Sequence, residues 1–266
     1  MQTELILLQT RLYRGYLTRL LMRFILLVLG LAAGTAWADT SATWTGHNQQ
    51  IYEFYANSAG DRRFGTAETY QLVRDNQVYL VTDVDSQLRT ISLDDVLQLA
   101  ARLQRFLPTT VATTSELSLQ FTETKNQKTI AGITGTEYRL NIDHNGRQFK
   151  KTMVLTDNTK AVAMHEALSD WLQLMAKELR GQPNAQTIGE LENFYAVIEM
   201  FDEIPEGAIL SIDDTFVLQQ VSDDDLDSSL FSLPSAPMTQ LELLQMIALG
   251  QGPVSFMKNW LSTFTW

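Results

Sequence analysis

The chain of 266 residues has no cysteine and only three histidines. Without cysteine there is no disulfide, no thiolate ligand and no thiol nucleophile, so the fold depends on its hydrophobic core. The histidines, His47, His144 and His165, form neither a His-x₃-His pair nor an HExxH motif. Since zinc sites are built largely from Cys and His, we predict that the protein holds no metal and no cofactor.

The motifs of several enzyme classes are also missing. There is no G-x-S-x-G sequence for a serine nucleophile and no glycine-rich loop for a dinucleotide or a phosphate. These absences favour a protein that is not an enzyme. A hydrolase that uses two carboxylates remains open, because the many acidic residues give no way to choose a pair without geometry.

The N-terminal region has the three-part layout of a secretory signal peptide. Met22-Arg23 is a basic start, Phe24–Ala33 is an uncharged apolar run, and Ala36-Trp37-Ala38 places small residues before a cut. The run is shorter than the roughly 20 apolar residues of a membrane-spanning helix. We predict that residues 1–38 are a signal peptide cleaved near Ala38, and that the protein is periplasmic or otherwise exported. A retained anchor, and a start at Met22 instead of Met1, remain alternatives.

The chain is acidic, with a formal charge of −11. The first 38 residues hold four arginines and one acid, so the remainder has 16 basic and 30 acidic side chains and a charge of −14. Such a chain has no electrostatic reason to bind nucleic acid or an anionic surface. The acidic segment Asp223–Asp227, with Asp213 and Asp214, contains oxygen ligands of the kind that calcium prefers, but it lacks the spacing of an EF-hand loop. We interpret it as a solvated loop.

Alternating apolar and polar residues predict a sheet in two blocks. Asp75-Asn76 and Asn145-Gly146 are typical hairpin turns, and Lys125–Gln127 is predicted to be a further turn. Gly132-x-x-Gly135 is interpreted as a bend or bulge. The predicted strands are Gln50–Tyr55, Glu68–Arg74, Gln77–Asp83, Glu116–Thr122, Glu137–Ile142, Gln148–Leu155 and a strand-like region from Gly207 to Val221.

Helical spacing predicts four helices. The first begins at the N-cap Ser92 and ends before Pro108, and the longest covers Asp157–Leu179. Thr187 and Glu190 form a capping box for the third, and the fourth begins near Thr239. We predict one α+β domain over residues 39–236, with a helical insertion at about 158–201. A helical, apolar C-terminal tail over 237–266 ends in the very apolar run Phe256–Trp266.

Three segments resemble exported proteins with a LolA/LolB-like, lipoprotein-carrier-like fold. Lys128–Gly132 leading into Glu137-Tyr138-Arg139 is similar to a strand pair of that family. Met153–Asp157 resembles the strand that precedes the long helix of that family. Ser229–Pro234 resembles the short motif at the C-terminal end of such domains. The resemblance spans about Gln49 to Pro234.

This resemblance implies a curved antiparallel sheet, a half-barrel, with helices covering its concave face. It also implies a hydrophobic ligand such as a lipid or a lipoprotein acyl chain. We expect one apolar face of the sheet to line the ligand site. The alternative is that the same residues only form the hydrophobic core. The alternative is an envelope protein-interaction or stress-sensing module whose tail contacts a partner. The expected lining residues are Tyr52, Phe54, Tyr70, Leu72, Leu117, Leu119, Phe121, Tyr138 and Leu140.

Overall fold

A computed structural model describes residues 38–46, 49–103, 117–180 and 191–248. The predictions made for residues 1–37, for His47, for the capping box and for Phe256–Trp266 lie outside these ranges. The described helices are α1 (Leu93–Leu103), α2 (Thr159–Arg180), α3 (Leu191–Glu203), α4 (Gln240–Ala248) and a 3₁₀ turn at Ser228–Phe231. The described strands are β1 (Thr40–Thr45), β2 (Ile51–Ala56), β3 (Arg62–Gly65), β4 (Thr69–Arg74), β5 (Gln77–Val84), β6 (Gln87–Ser92), β7 (Leu117–Ile130), β8 (Ile133–His144), β9 (Arg147–Thr156), β10 (Ala208–Ile212) and β11 (Phe216–Ser222).

All eleven described strands belong to one antiparallel sheet, which confirms the predicted α+β class. Their order is β6-β5-β4-β3-β2-β1-β11-β10-β9-β8-β7, so β6 and β7 are the two ends and the sheet is not closed. Strands β1–β6 form one meander and β7–β11 another. The pairing of β1 with β11, in which Trp44 lies opposite Leu218, joins the two meanders.

The turns follow the backbone conformations that their residues allow. Asp75 and Asn76 have φ angles of 52° and 60°, and Asn145 and Gly146 have 55° and 77°. These are the positive angles of a two-residue hairpin turn, so both predicted hairpins are confirmed. Helix α2 begins at Thr159, two residues later than predicted, because the side chain of Asn158 accepts hydrogen bonds from the backbone of Lys160 and Ala161.

The predicted turn at Lys125–Gln127 is wrong. Strand β7 continues to Ile130, and the pairing with β8 shifts register between Glu123 and Gln127. Lys125 has a φ of 66°, so the bulge accommodates a left-handed residue inside a continuing strand. The hairpin turn lies at Ala131-Gly132, with φ angles of 50° and 77°.

The two faces of the sheet carry different apolar clusters. On one face, which we call the Trp44 face, Trp44 lies opposite Tyr52, and Phe54 lies opposite Phe64. The ring of Trp44 also stacks on that of Phe216, with centroids 5.4 Å apart. Phe54 and Phe64 are almost fully buried, so the centre of this face is core.

Helix α2 packs on the Trp44 face. The ring of its Trp171 lies 5.0 Å from that of Phe64, and its Asp170 pairs with Arg62 at 3.5 Å. The helix also contacts β1, β10 and β11. Helix α3 lies against α2, where His165 stacks on Phe201 at 5.1 Å. The long amphipathic helix therefore contacts strands of both meanders.

The opposite face, which we call the Tyr70 face, has its own cluster. Tyr70, Leu72 and Val81 pack with Phe231 of the 3₁₀ turn. The guanidinium carbon of Arg63 lies 3.8 Å from the centroid of the Tyr70 ring, which adds a cation–π contact. The segment after β11 therefore returns across the sheet and buries apolar residues on its second face.

The beginning of the predicted tail packs on the domain. The backbone N–H of Met238 donates to the carbonyl of Thr90 at 2.8 Å. Gln240 accepts a hydrogen bond from Arg102 of α1 at 2.8 Å. Leu243 and Met246 of α4 are buried, whereas Leu241 and Leu244 are exposed. The described part of the tail is thus partly core.

We predict that Phe231→Ala lowers the free energy of unfolding by about 3 kcal/mol, the usual cost of removing a buried aromatic side chain. Urea unfolding of the two proteins measures the difference. Leu241→Ala is the control, because Leu241 is 65% exposed and should change stability by less than about 0.5 kcal/mol. Equal stability of Phe231→Ala and the wild type would contradict the packing of the Tyr70 face.

Candidate ligand-binding face

Seven of the nine expected lining residues lie on the Trp44 face. Directly opposite residues on neighbouring strands point to the same side, so the pairing shows which side chains share this face. From β1 to β8 these residues are, in order, Trp44, Phe216, Ile212, Met153 and Tyr138. The residues that share the face are Tyr52, Phe54, Leu117, Leu119, Phe121, Tyr138 and Leu140. The sheet therefore brings together side chains from both meanders.

Tyr70 and Leu72 are the exceptions, and their assignment to the same face is wrong. Phe64 lies opposite Gln71, so Gln71 is on the Trp44 face and its two neighbours point the other way. Tyr70 and Leu72 pack instead with Phe231. Strand β4 is buried on both faces, so its apolar pattern alone could not tell one side from the other.

The side chains of the Trp44 face are less buried toward β7 than at the centre of the sheet. At its centre, Trp44, Phe54 and Phe64 are at most 1% exposed. Toward β7, five apolar side chains are only partly buried, and we call them the apolar wall: Leu117, Leu119, Phe121, Tyr138 and Phe149. The wall therefore leaves apolar surface accessible beside a sealed core.

Cross-strand pairing keeps the wall continuous. Phe121 lies opposite Leu140 and Leu119 opposite Ile142, while Phe149 lies opposite Ile142 from the other side. Buried Leu140 and Ile142 thus fill the middle strand between partly exposed side chains on β7 and β9. An aliphatic chain lying along β8 would meet apolar atoms from three strands.

Sequence reasoning missed several members of this face, among them the aromatic residues Phe149, Phe64 and Phe216. Phe149 lay in the predicted strand Gln148–Leu155, and its alternation with Lys150 could have indicated a second apolar neighbour for the β7 residues. Phe64 lies outside the predicted strands, because the glycines and charges around it do not form a strand pattern. Nothing in the sequence indicated that Phe216 would stack on Trp44, since 172 positions separate them.

The histidines form no site with one another in the described ranges. His165 is buried, and its burial lowers its pKa from 6.5 to about 4. The ring is therefore neutral near neutral pH and packs on Phe201 as part of the helix pair. His144 lies at the end of β8, opposite Leu117.

Several acidic residues of the segments considered as calcium ligands have local partners in the described structure. Asp213 accepts a hydrogen bond from the backbone of Thr152 at 2.7 Å and pairs with Lys151 at 3.1 Å. Asp223 pairs with Lys160, and Asp227 caps the 3₁₀ turn. Within the residues that the structure describes, no three acidic or histidine side chains converge as a metal site would require.

Two further findings bear on function. No described helix has both the length and the apolar character needed to cross a membrane. No protein-family model, curated protein or solved structure matches this chain. A functional assignment therefore depends on the chemistry of the Trp44 face itself.

We predict that stability falls as the pH is lowered from about 6.5 to 4. The unfolded chain takes up a proton on His165 near pH 6.5, whereas the folded chain does so only near pH 4. Acid therefore favours the unfolded state, by up to about 3 kcal/mol across this window. Urea titrations at several pH values should show this loss in the wild type and a shallower one in His165→Phe. Identical pH profiles of the two proteins would contradict the buried neutral imidazole.

Proposed function

We propose that this is an exported, non-enzymatic protein that binds a hydrophobic ligand, such as a lipid or a lipoprotein acyl chain, against the apolar wall. The observation that carries the proposal is the partial exposure of Leu117, Leu119, Phe121, Tyr138 and Phe149 on one continuous face. Partly exposed aromatic and aliphatic side chains in a row gain free energy when an apolar ligand covers them.

The fold supports the same proposal. We infer that the sheet curves into a half-barrel and that the helices cover its concave, Trp44 face. The open end of the sheet at β7 and the register shifts in three strand pairs support this inference, because bulges bend and twist strands. The resemblance of Met153–Asp157 and Ser229–Pro234 to lipoprotein-carrier-like proteins points to the same ligand class.

Burial supplies a sufficient driving force. Each methylene group transferred from water to an apolar surface contributes about 0.8 kcal/mol. Ten methylenes would contribute about 8 kcal/mol, which exceeds the lower estimates of the entropy cost of association. The proposal therefore needs no covalent chemistry, metal or cofactor.

Asp39 supports export with cleavage near Ala38. Its carboxylate accepts hydrogen bonds from the backbone of Ser58 at 2.9 Å and of Leu226 at 2.8 Å. Because two separate loops depend on this side chain, the folded domain uses the residue that directly follows the proposed cut. A start of the mature chain at Asp39 would keep both bonds.

A second candidate is an envelope protein-interaction or stress-sensing module. It is favoured by α4, which buries Leu243 and Met246 but exposes Leu241 and Leu244. A partner protein could cover these two leucines. In that case substitutions in the apolar wall would leave partner binding unchanged.

The experiment that tests the ligand proposal is binding of N-phenyl-1-naphthylamine, whose fluorescence rises in apolar surroundings. We predict that Phe121→Asp and Leu119→Asp each weaken binding at least tenfold, because a buried carboxylate opposes an apolar ligand.

Gln120→Asp is the matched control. Gln120 lies between the two test positions, is exposed, and faces the other side of β7. It adds the same charge to the same strand, and it should leave binding within about twofold of the wild type. An equal loss in all three variants would mean that charge alone matters, and no loss in any of them would exclude the wall as the ligand surface.

A further inference from the structure

The charge of the protein is unevenly distributed, and the apolar wall lies in its basic part. The strands β7–β9 and their turns, residues 117–156, contain six basic and three acidic side chains. The rest of residues 39–266 contains 10 basic and 27 acidic ones. The wall therefore belongs to a region of net positive charge in a strongly acidic chain, and such a region attracts anions that the rest of the molecule repels.

One of these basic residues lies at an end of the wall. Arg147 is the first residue of β9 and lies opposite His144, which in turn lies opposite Leu117 of β7. Because directly opposite residues point to the same side of a sheet, all three share the Trp44 face. Phe149 is the next residue of β9 on that side, so the guanidinium group of Arg147 lies beside the wall.

Arg147 is available to an incoming anion. Its side chain is exposed, and none of the ion pairs among the described residues involves it. Lys151, the other basic residue on this side of β9, is already paired with Asp213 at 3.1 Å. The nearby carboxylate of Asp143 accepts a hydrogen bond from the backbone of Gly146 at 3.0 Å and belongs to the opposite side of the sheet. Arg147 is thus the cation of the wall that a ligand can reach.

The other end of the wall carries a negative charge. Glu123 of β7 is exposed and lies opposite Tyr138, on the same side as the wall. At about 3.4 Å per residue, it is about 20 Å along the strand from Leu117. A cation at one end and an anion at the other give a charged amphiphile a preferred direction on the wall.

We propose that the hydrophobic ligand is an anionic amphiphile whose head group pairs with the guanidinium group of Arg147; this inference rests on the proposed function. The hydrocarbon chain extends from Arg147 over Phe149 and Leu119, which are both partly exposed. The ligand therefore stays on the accessible part of the Trp44 face and does not enter its buried centre. A guanidinium group can donate two parallel hydrogen bonds to a carboxylate or a phosphate, so a fatty acid and an anionic phospholipid share the chemistry that this site recognises.

The test compares dodecanoate, dodecyl phosphate and 1-dodecanol as competitors for N-phenyl-1-naphthylamine on the exported protein. The measurement is made at pH 8 and low salt, with each competitor below its critical micelle concentration. We expect the wild type to prefer at least one anion over the uncharged alcohol by about fivefold, the upper range for an ion pair that stays open to water. A preference for one of the two anions assigns the head group to that class, and an equal preference for both assigns recognition to charge.

We expect this preference to disappear in Arg147→Gln. Lys150→Gln is the matched control, because Lys150 is exposed on the same strand, lies opposite Asn141 and faces the other side of the sheet. It removes the same charge from the same strand and should keep the preference. Both variants should bind the uncharged probe as the wild type does, which would show that the wall is intact.

Three results would contradict the inference. Equal competition by the alcohol and both anions in the wild type would overturn the anionic head group while leaving the hydrophobic-ligand proposal intact. An equal loss of the preference in both variants would overturn the role of Arg147, because the net charge of the strands would then account for it. No uptake of the fluorescent probe by the wild type would overturn both proposals.

Discussion

The fold depends on the pairing of its first strand with its last. Trp44 on β1 lies opposite Leu218 on β11 and stacks on Phe216, and the ring of Trp171 reaches the same cluster through Phe64. Without this pairing, β1–β6 and β7–β11 would be two separate meanders, each with an apolar face to cover. Because β1 and β11 are far apart in sequence, the sheet forms only after a large loop has closed.

This pairing also places a buried region and a partly exposed region on the same face of one sheet, and the proposed function rests on that difference in burial. One face of one sheet runs from a sealed centre, where Phe54 and Phe64 are at most 1% exposed, to the partly exposed wall near β7. A sealed centre provides stability that the wall does not have to supply. The wall can therefore keep apolar surface available at a cost that the rest of the core offsets.

Local features of the fold could be predicted from the sequence, but the sidedness of the sheet could not. Asn145-Gly146 and Asp75-Asn76 specify their turns through backbone conformation alone. By contrast, the face on which Tyr70 lies depends on its register with β3 and on the return of Phe231 from a distant segment. The structure around Lys125 could not be predicted from the sequence either. A polar stretch can form a bulge as readily as a turn, and here the pairing of β7 with β8 decides for the bulge.

Some residues of the candidate site could likewise be predicted from the sequence, and others could not. Alternation in β7 correctly grouped Leu117, Leu119 and Phe121, since strand geometry alone puts them on one side. Phe64 and Phe216 were missed, because their roles depend on neighbours in other strands that the sequence does not reveal.

Native mass spectrometry of the protein, purified after export and kept in a detergent-free buffer, tests the central claim most directly. The account predicts a second mass species, heavier by one hydrophobic ligand such as a lipid, which is released on activation in the gas phase and is reduced in the Phe121→Asp protein. A single ligand-free mass for the wild type, unchanged after incubation with excess 1-dodecanol, would contradict it.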